Sequence, residues 1–139
     1  DKGEFNNIHP IDKQPIGERL ALQAMYHAYK MNNAVRAYGP FYQSCYTVKS
    51  YMWCIFNHAK DGLVCKGEKP LGFEVAGQDK VFYPADSVVL QDNTVRLFSS
   101  QVNHPIYARY CWVNYGPVTM FGKNGLPMAP FRTSWSDED

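Results

Sequence analysis

The feature that most constrains the fold is a change of hydrophobic pattern near residue 34. Before it, Ile16, Leu20 and Ala24 recur at fourfold spacing, which predicts one amphipathic helix. After it, short runs of β-branched and aromatic residues alternate with turn residues. One apolar helix followed by a long β region is unusual, because the helix needs a large surface against which to bury its face.

Local signals predict where the helix begins and ends. Asp12 is the expected N-cap, since its carboxylate can accept hydrogen bonds from first-turn amides. Pro15 fits the first turn because its missing N–H falls among the amides that lack an intrahelical partner. Leu22, Met25, Tyr26 and Tyr29 widen the apolar face. Asn32-Asn33 is the expected stop.

The second region predicts an antiparallel β-sandwich, so the fold class is mostly β. Asp61-Gly62 indicates a turn, and Asp92-Asn93 lies at the centre of a hairpin in "SVVLQDNTVRLFSS". Further strands are expected in "YTVKSYMWCIFN", in "LGFEVAG", and in "PIYARYCWVNY", where Ile106, Ala108, Tyr110 and Trp112 share a face.

Two units follow from this pattern. Residues 1–33 are expected to be the end of a domain supplied mostly by sequence upstream, and residues 34–139 a C-terminal β-sandwich. The chain does not begin with methionine and shows no signal-peptide pattern. We therefore expect it to begin inside a longer translated sequence.

Composition excludes several functional classes. A net charge of +1 offers no electrostatic basis for binding nucleic acid or an anionic membrane, and no apolar run is long enough to span a bilayer. The four cysteines, Cys45, Cys54, Cys65 and Cys111, lack metal-binding spacing, so no metal or cofactor is expected. They are compatible with one or two disulfides or with free thiols.

His9 is the histidine placed best for catalysis. It lies in a polar loop, precedes Pro10, and is followed closely by the capped helix, so a rigid element supports it. His27, His58 and His104 are more simply explained as structural or surface residues. No serine lies in a nucleophile elbow. His9 alone is therefore half of a catalytic mechanism.

Several other side chains are candidates for ligand binding. Arg132 could hold a carboxylate in a bidentate manner, although a structural pairing with an acidic residue is the simpler expectation. Exposed aromatic rings could hold carbohydrate, although core packing explains most of the 15% aromatic content. The aromatic candidates are Tyr42, Tyr51, Tyr107, Trp112 and Trp135.

Motifs along nearly the whole chain resemble the C-terminal part of the sialate O-acetylesterases, carbohydrate esterases of the SGNH-hydrolase type. They include "NNIHPIDKQPIGERLALQA", "GP" at 39–40, "FNHAKDGL", "LGFEVAG", "FYPADSVV", "HPIYARYCWVNY" and "NGLPMAPFRTSW". The order and spacing of the first and last of these make the resemblance specific.

The resemblance implies removal of acetyl groups from sugar hydroxyls, typically the 9-O-acetyl group of sialic acid, by a serine nucleophile and a histidine base. The IHP histidine of such enzymes matches His9, and the helix after it would be the last helix of the α/β SGNH domain. The serine and most oxyanion donors would lie in the absent N-terminal part. Where relatives often have aspartate before Ile-His, this chain has Asn7, which could orient the ring. Asp1, in a D-x-G start, is the candidate acid.

These observations predict the C-terminal part of a carbohydrate O-acetylesterase that is inactive without its nucleophile. Its expected partners are the N-terminal SGNH portion, as a separate chain or missing sequence, and acetylated sialic acid or another acetylated glycan. A secreted, periplasmic or lysosomal location is expected. The alternatives are an esterase acting on acetylated plant polysaccharide such as xylan, and a non-catalytic β-sandwich module that binds carbohydrate or packs on another domain.

Overall fold

The computed structural model describes residues 1–134 and contains one helix, α1 (Gln14–His27), and ten strands. Trp135 and the acidic tail therefore lie outside the described residues. The strands are β1 (Phe41–Val48), β2 (Tyr51–Asn57), β3 (Leu63–Cys65), β4 (Phe73–Ala76), β5 (Tyr83–Pro84), β6 (Ser87–Gln91), β7 (Thr94–Phe98), β8 (Tyr107–Tyr110), β9 (Met120–Gly122) and β10 (Phe131–Arg132).

The strands form antiparallel sheets, which confirms the predicted mostly β, sandwich-like fold. One four-stranded sheet has the order β1-β2-β7-β6, and a second has the order β10-β8-β4-β5. Strands β3 and β9 pair separately. The predicted hairpin in "SVVLQDNTVRLFSS" is β6–β7, with Asp92 in a left-handed conformation at its turn (φ 52°).

The two larger sheets share one hydrophobic core. Every second residue of β2 is buried, namely Met52, Cys54 and Phe56, as expected for a strand with one face inward. Phe56 reaches the other sheet, where its ring meets the edge of Phe131 at 5.6 Å between centroids. Tyr110 in β8 is fully buried in the same core.

Strands are present where "YTVKSYMWCIFN" predicted them, as the end of β1 and all of β2, and left-handed Lys49 (φ 57°) allows the two-residue connection between them. Two other local predictions were wrong. Strand β8 ends at Tyr110, because Cys111 is left-handed (φ 46°), so exposed Trp112 is outside the strand.

The second wrong prediction concerns the helix ends. The carboxylate of Asp12 pairs with the Lys2 ammonium at 3.0 Å, and the N-cap residue is Lys13, which makes no side-chain capping bond. The helix ends at His27 because Lys30 turns left-handed (φ 54°) and the Met31 N–H bonds back to the Met25 carbonyl at 2.9 Å.

Helix α1 presents an apolar face that is only partly covered. No residue between Gln14 and His27 is buried, and Leu20 keeps 65% of its surface exposed. Within residues 1–134 the β-sandwich therefore does not supply the surface that the helix pattern requires.

Candidate functional site

The loop that carries His9 is organised by Glu4. Its carboxylate accepts hydrogen bonds from the Asn7 side-chain amide at 3.3 Å and from the Ile11 N–H at 3.4 Å. The Asn7 side-chain oxygen in turn accepts the main-chain N–H of His9 at 2.9 Å, which is an Asx turn. The predicted orienting residue Asn7 thus holds the backbone of His9.

The imidazole of His9 is exposed and makes no hydrogen bond to any residue in 1–134. The candidate acid Asp1 is not joined to it in this part of the chain. Both carboxylate oxygens of Asp1 instead accept from the Arg19 guanidinium of α1, at 2.7 and 2.8 Å. The catalytic roles of His9, Asp1 and Asn7 remain predictions.

Contacts on two sides fix the N-terminal segment. On one side Asp1 is bound to α1 through Arg19, and on the other the ring of Phe5 meets Tyr115 edge-on at 5.5 Å. Tyr115 belongs to the loop between β8 and β9. The segment that carries the His9 loop therefore contacts both the helix and the sandwich, and the His9 imidazole stays exposed.

No nucleophile accompanies His9 within residues 1–134, where no serine hydroxyl or cysteine thiol is hydrogen-bonded to a histidine ring. All four cysteines are free, and burial raises the pKa of the Cys54 thiol, which disfavours the reactive thiolate. No group of three or more metal-ligating side chains is present in the same range, and no helix there is long and apolar enough to cross a membrane.

Two of the five aromatic candidates share a cleft with Arg132. Tyr42, Trp112 and Arg132 line a cavity of about 500 Å³ beside β10. The Arg132 guanidinium lies over the Trp112 ring at 4.9 Å, and the Tyr42 ring stacks on Phe131 at 4.8 Å. Ser134, which also lines the cleft, is buried, and its hydroxyl has no hydrogen-bond partner among residues 1–134.

The other two described aromatic candidates lie elsewhere. Arg96 covers the Tyr51 ring at 5.0 Å, and the Lys80 ammonium lies 5.6 Å from the centre of Tyr107. The aromatic residues that the sequence suggested therefore do not form one binding face.

Two histidines meet at a residue that sequence reasoning missed. Tyr38 forms a 2.5 Å hydrogen bond between its hydroxyl and His27 Nε2, and its ring stacks on His58 at 4.8 Å. The sequence carries no signal for this cluster, because its members come from α1, from the segment after it and from the β2–β3 turn. His104 lies apart, in the loop before β8.

Comparison with solved structures finds a likeness to XAC1771, described as a novel carbohydrate acetylesterase from Xanthomonas citri. The TM-score is 0.89, and the match covers 98% of this chain at 29% sequence identity. It covers 31% of that chain, so the present chain spans about a third of the esterase's length. No protein-family model and no curated protein matches the sequence. The likeness supports a relation to carbohydrate esterases.

Proposed function

We propose that the chain is the C-terminal part of a serine esterase that removes O-acetyl groups from sialic acid, typically the 9-O-acetyl group, or from related acetylated sugars. The observation that carries this proposal is the likeness to a carbohydrate acetylesterase over 98% of the chain. The motif series that ends in "NGLPMAPFRTSW" and begins around His9 gives independent support.

In this mechanism His9 is the general base. It takes the proton of a serine hydroxyl as that oxygen attacks the acetyl carbonyl, and it then returns the proton to the departing sugar oxygen. Water repeats the cycle on the acetyl-enzyme and releases acetate. The chain's own contribution is an exposed imidazole on a loop braced by Glu4, Asn7 and Phe5.

The serine would come from an N-terminal SGNH portion that packs on α1, either in the same chain or as a separate one. The exposed helix face supports this, because Leu20 and Ile16 repeat at helical spacing yet remain 65% and 38% exposed. A secreted, periplasmic or lysosomal location belongs to the same proposal.

The direct test is His9→Ala in the complete protein, with His104→Ala as the matched control on an exposed loop. Loss of a general base should lower kcat for an acetylated sugar by about 10²–10⁴-fold, while His104→Ala should leave it unchanged. The 139-residue chain alone should show no acetyl-ester hydrolysis above background. Near-normal turnover by His9→Ala would exclude the assigned role.

Substrate class requires a separate comparison. Release of acetate from 9-O-acetylated sialic acid and from acetylated xylan, measured side by side with the complete enzyme, separates the sialate activity from the plant-polysaccharide alternative. A clear preference for xylan would overturn the sialate assignment and leave the esterase proposal standing.

A second candidate is a non-catalytic carbohydrate-binding module, favoured by the cleft of Tyr42, Trp112 and Arg132. An aromatic ring beside a guanidinium suits the apolar face and the polar edge of a sugar. Calorimetric titration of the 139-residue chain with acetylated glycans tests it. Saturable binding that Trp112→Ala abolishes would support it, and the absence of heat would reject it.

A further inference from the structure

We infer that the chain carries a separate binding site for the carboxylate of a monosaccharide-sized sugar acid, in the cavity between Tyr38 and the β2–β3 turn. The cavity has a volume of about 210 Å³, below the ~300–1,000 Å³ of sites that hold drug-sized ligands. It involves neither His9 nor any residue of the proposed mechanism, so it does not depend on the esterase assignment.

Hydrogen bonds preform the walls of this cavity. The carbonyl of Ala37 accepts from the Gln23 amide at 2.7 Å, and the carbonyl of Tyr38 accepts from the Asn124 amide at 2.9 Å. The opposite wall is a turn closed by the Gly62 N–H on the Ala59 carbonyl at 2.9 Å. Walls fixed in this way lose little conformational freedom when a ligand enters.

The charges around the cavity favour an anion. Arg36, Lys60 and Lys123 line it together with one carboxylate, Asp61, so three positive charges minus one negative charge leave +2. None of the four forms an ion pair with any residue in 1–134. The Lys123 side chain lies against Gly62 of this turn. Its ammonium nitrogen would be 3.7 Å from a Cβ atom added to Gly62.

The remaining groups select a sugar acid over a simple ion. An arginine fork suits a carboxylate, and Asp61 can accept hydrogen bonds from sugar hydroxyls while disfavouring an ion that carries several negative charges. The stacked rings of Tyr38 and His58 give the cavity an apolar side. His58 holds its place in a left-handed conformation (φ 56°) that non-glycine residues adopt uncommonly.

The test is an amide NMR titration of the 139-residue chain with sodium glucuronate, glucose, sodium acetate and inorganic phosphate at one ionic strength. Glucuronate should shift the amides of residues 58–62 and 123–124 in a saturable manner. Glucose and acetate should each bind at least about tenfold more weakly, since each offers only half of the recognised chemistry. Equal or tighter binding of phosphate, or shifts without saturation, would overturn the inference.

Variants locate the site. Lys123→Met and Arg36→Gln should each weaken glucuronate binding about tenfold, whereas Lys69→Met, on an exposed lysine outside the cavity, should not change it. Both site residues are exposed, so the spectra of the variants should keep native dispersion. Unchanged affinity in Lys123→Met and Arg36→Gln would reject the site. His9→Ala should bind glucuronate normally, which separates this result from the catalytic proposal.

Discussion

The substitution Leu20→Ala in α1 should change the stability of this chain very little and should destabilise the complete esterase to which we propose it belongs. Burying a whole leucine side chain stabilises a protein by about 1.5–3 kcal/mol. Leu20 is 65% exposed, so about a third of that, roughly 0.5–1 kcal/mol, is available here. Because alanine retains its Cβ and favours helix at least as well as leucine, Leu20→Ala should lower the free energy of unfolding of the chain by less than about 0.5 kcal/mol.

Leu97→Ala provides the matched control, because Leu97 is fully buried in β7. Removal of such a side chain leaves a cavity and should cost about 2–5 kcal/mol. Urea titration of both variants, followed by tryptophan fluorescence and far-ultraviolet circular dichroism, measures the two losses in the same chain. The expected result is a large shift of the midpoint for Leu97→Ala and almost none for Leu20→Ala.

The same pair is then measured in the complete protein. If the SGNH portion covers α1, the exposed two thirds of Leu20 become buried and add about 1–2 kcal/mol, so Leu20→Ala should now destabilise the protein measurably. If Leu20→Ala destabilises the 139-residue chain as much as Leu97→Ala does, then the helix face is already covered within that chain. No loss in the complete protein would refute the proposed packing of the helix.

Gly39→Ala should destabilise the chain by more than about 2 kcal/mol in a urea titration, because the added Cβ would lie 2.0 Å from the Pro127 carbonyl oxygen. Gly17 faces open space on α1, so Gly17→Ala should instead stabilise the chain by about 0.5–1 kcal/mol through helix propensity. A loss of stability in this variant would contradict the helical conformation of residue 17. Tyr110→Phe should cost about 1–3 kcal/mol, because it leaves the Met120 N–H without the hydroxyl that accepts it at 3.3 Å. Burial also raises the pKa of Tyr110 above its ordinary value, so stability should fall as pH rises above about 10, where the unfolded chain ionises. This loss of stability at alkaline pH, measured as a fall in melting temperature, should be smaller in Tyr110→Phe than in the unsubstituted chain. An equal fall in both proteins would contradict its assignment to Tyr110.

The parts of the fold that the sequence predicted correctly are those where one residue type has one dominant structural use. Asp61-Gly62 is a turn because glycine accepts the observed φ of 103° without steric cost. Strands lie in "YTVKSYMWCIFN" because its β-branched and aromatic residues suit a pleated, half-buried surface. Such patterns act over a few residues and can be interpreted without knowledge of the rest of the chain.

The wrong predictions arose where a distant residue competes for the same group. Asp12 has the chemistry of an N-cap, but the Lys2 ammonium binds its carboxylate. The pattern of "PIYARYCWVNY" predicts a strand through Trp112, but Cys111 is left-handed (φ 46°) and its N–H donates to the Gly72 carbonyl at 2.9 Å. In each case the decisive contact depends on the tertiary structure, which overrides a local preference worth about 1 kcal/mol.

The candidate sites also differ in how far the local sequence can predict them. A catalytic histidine is recognised by the nucleophile and acid around it, and within residues 1–134 His9 has neither as a hydrogen-bond partner. Sequence reasoning singled out His9 by its loop ahead of the helix and by a resemblance, and the structure adds a hydrogen-bonded loop and an exposed ring. The Tyr38 cavity has the opposite character: its charges and rings are all present, but they come from four separate segments. A local pattern therefore could not reveal it, and folding alone brings its groups within reach of one ligand.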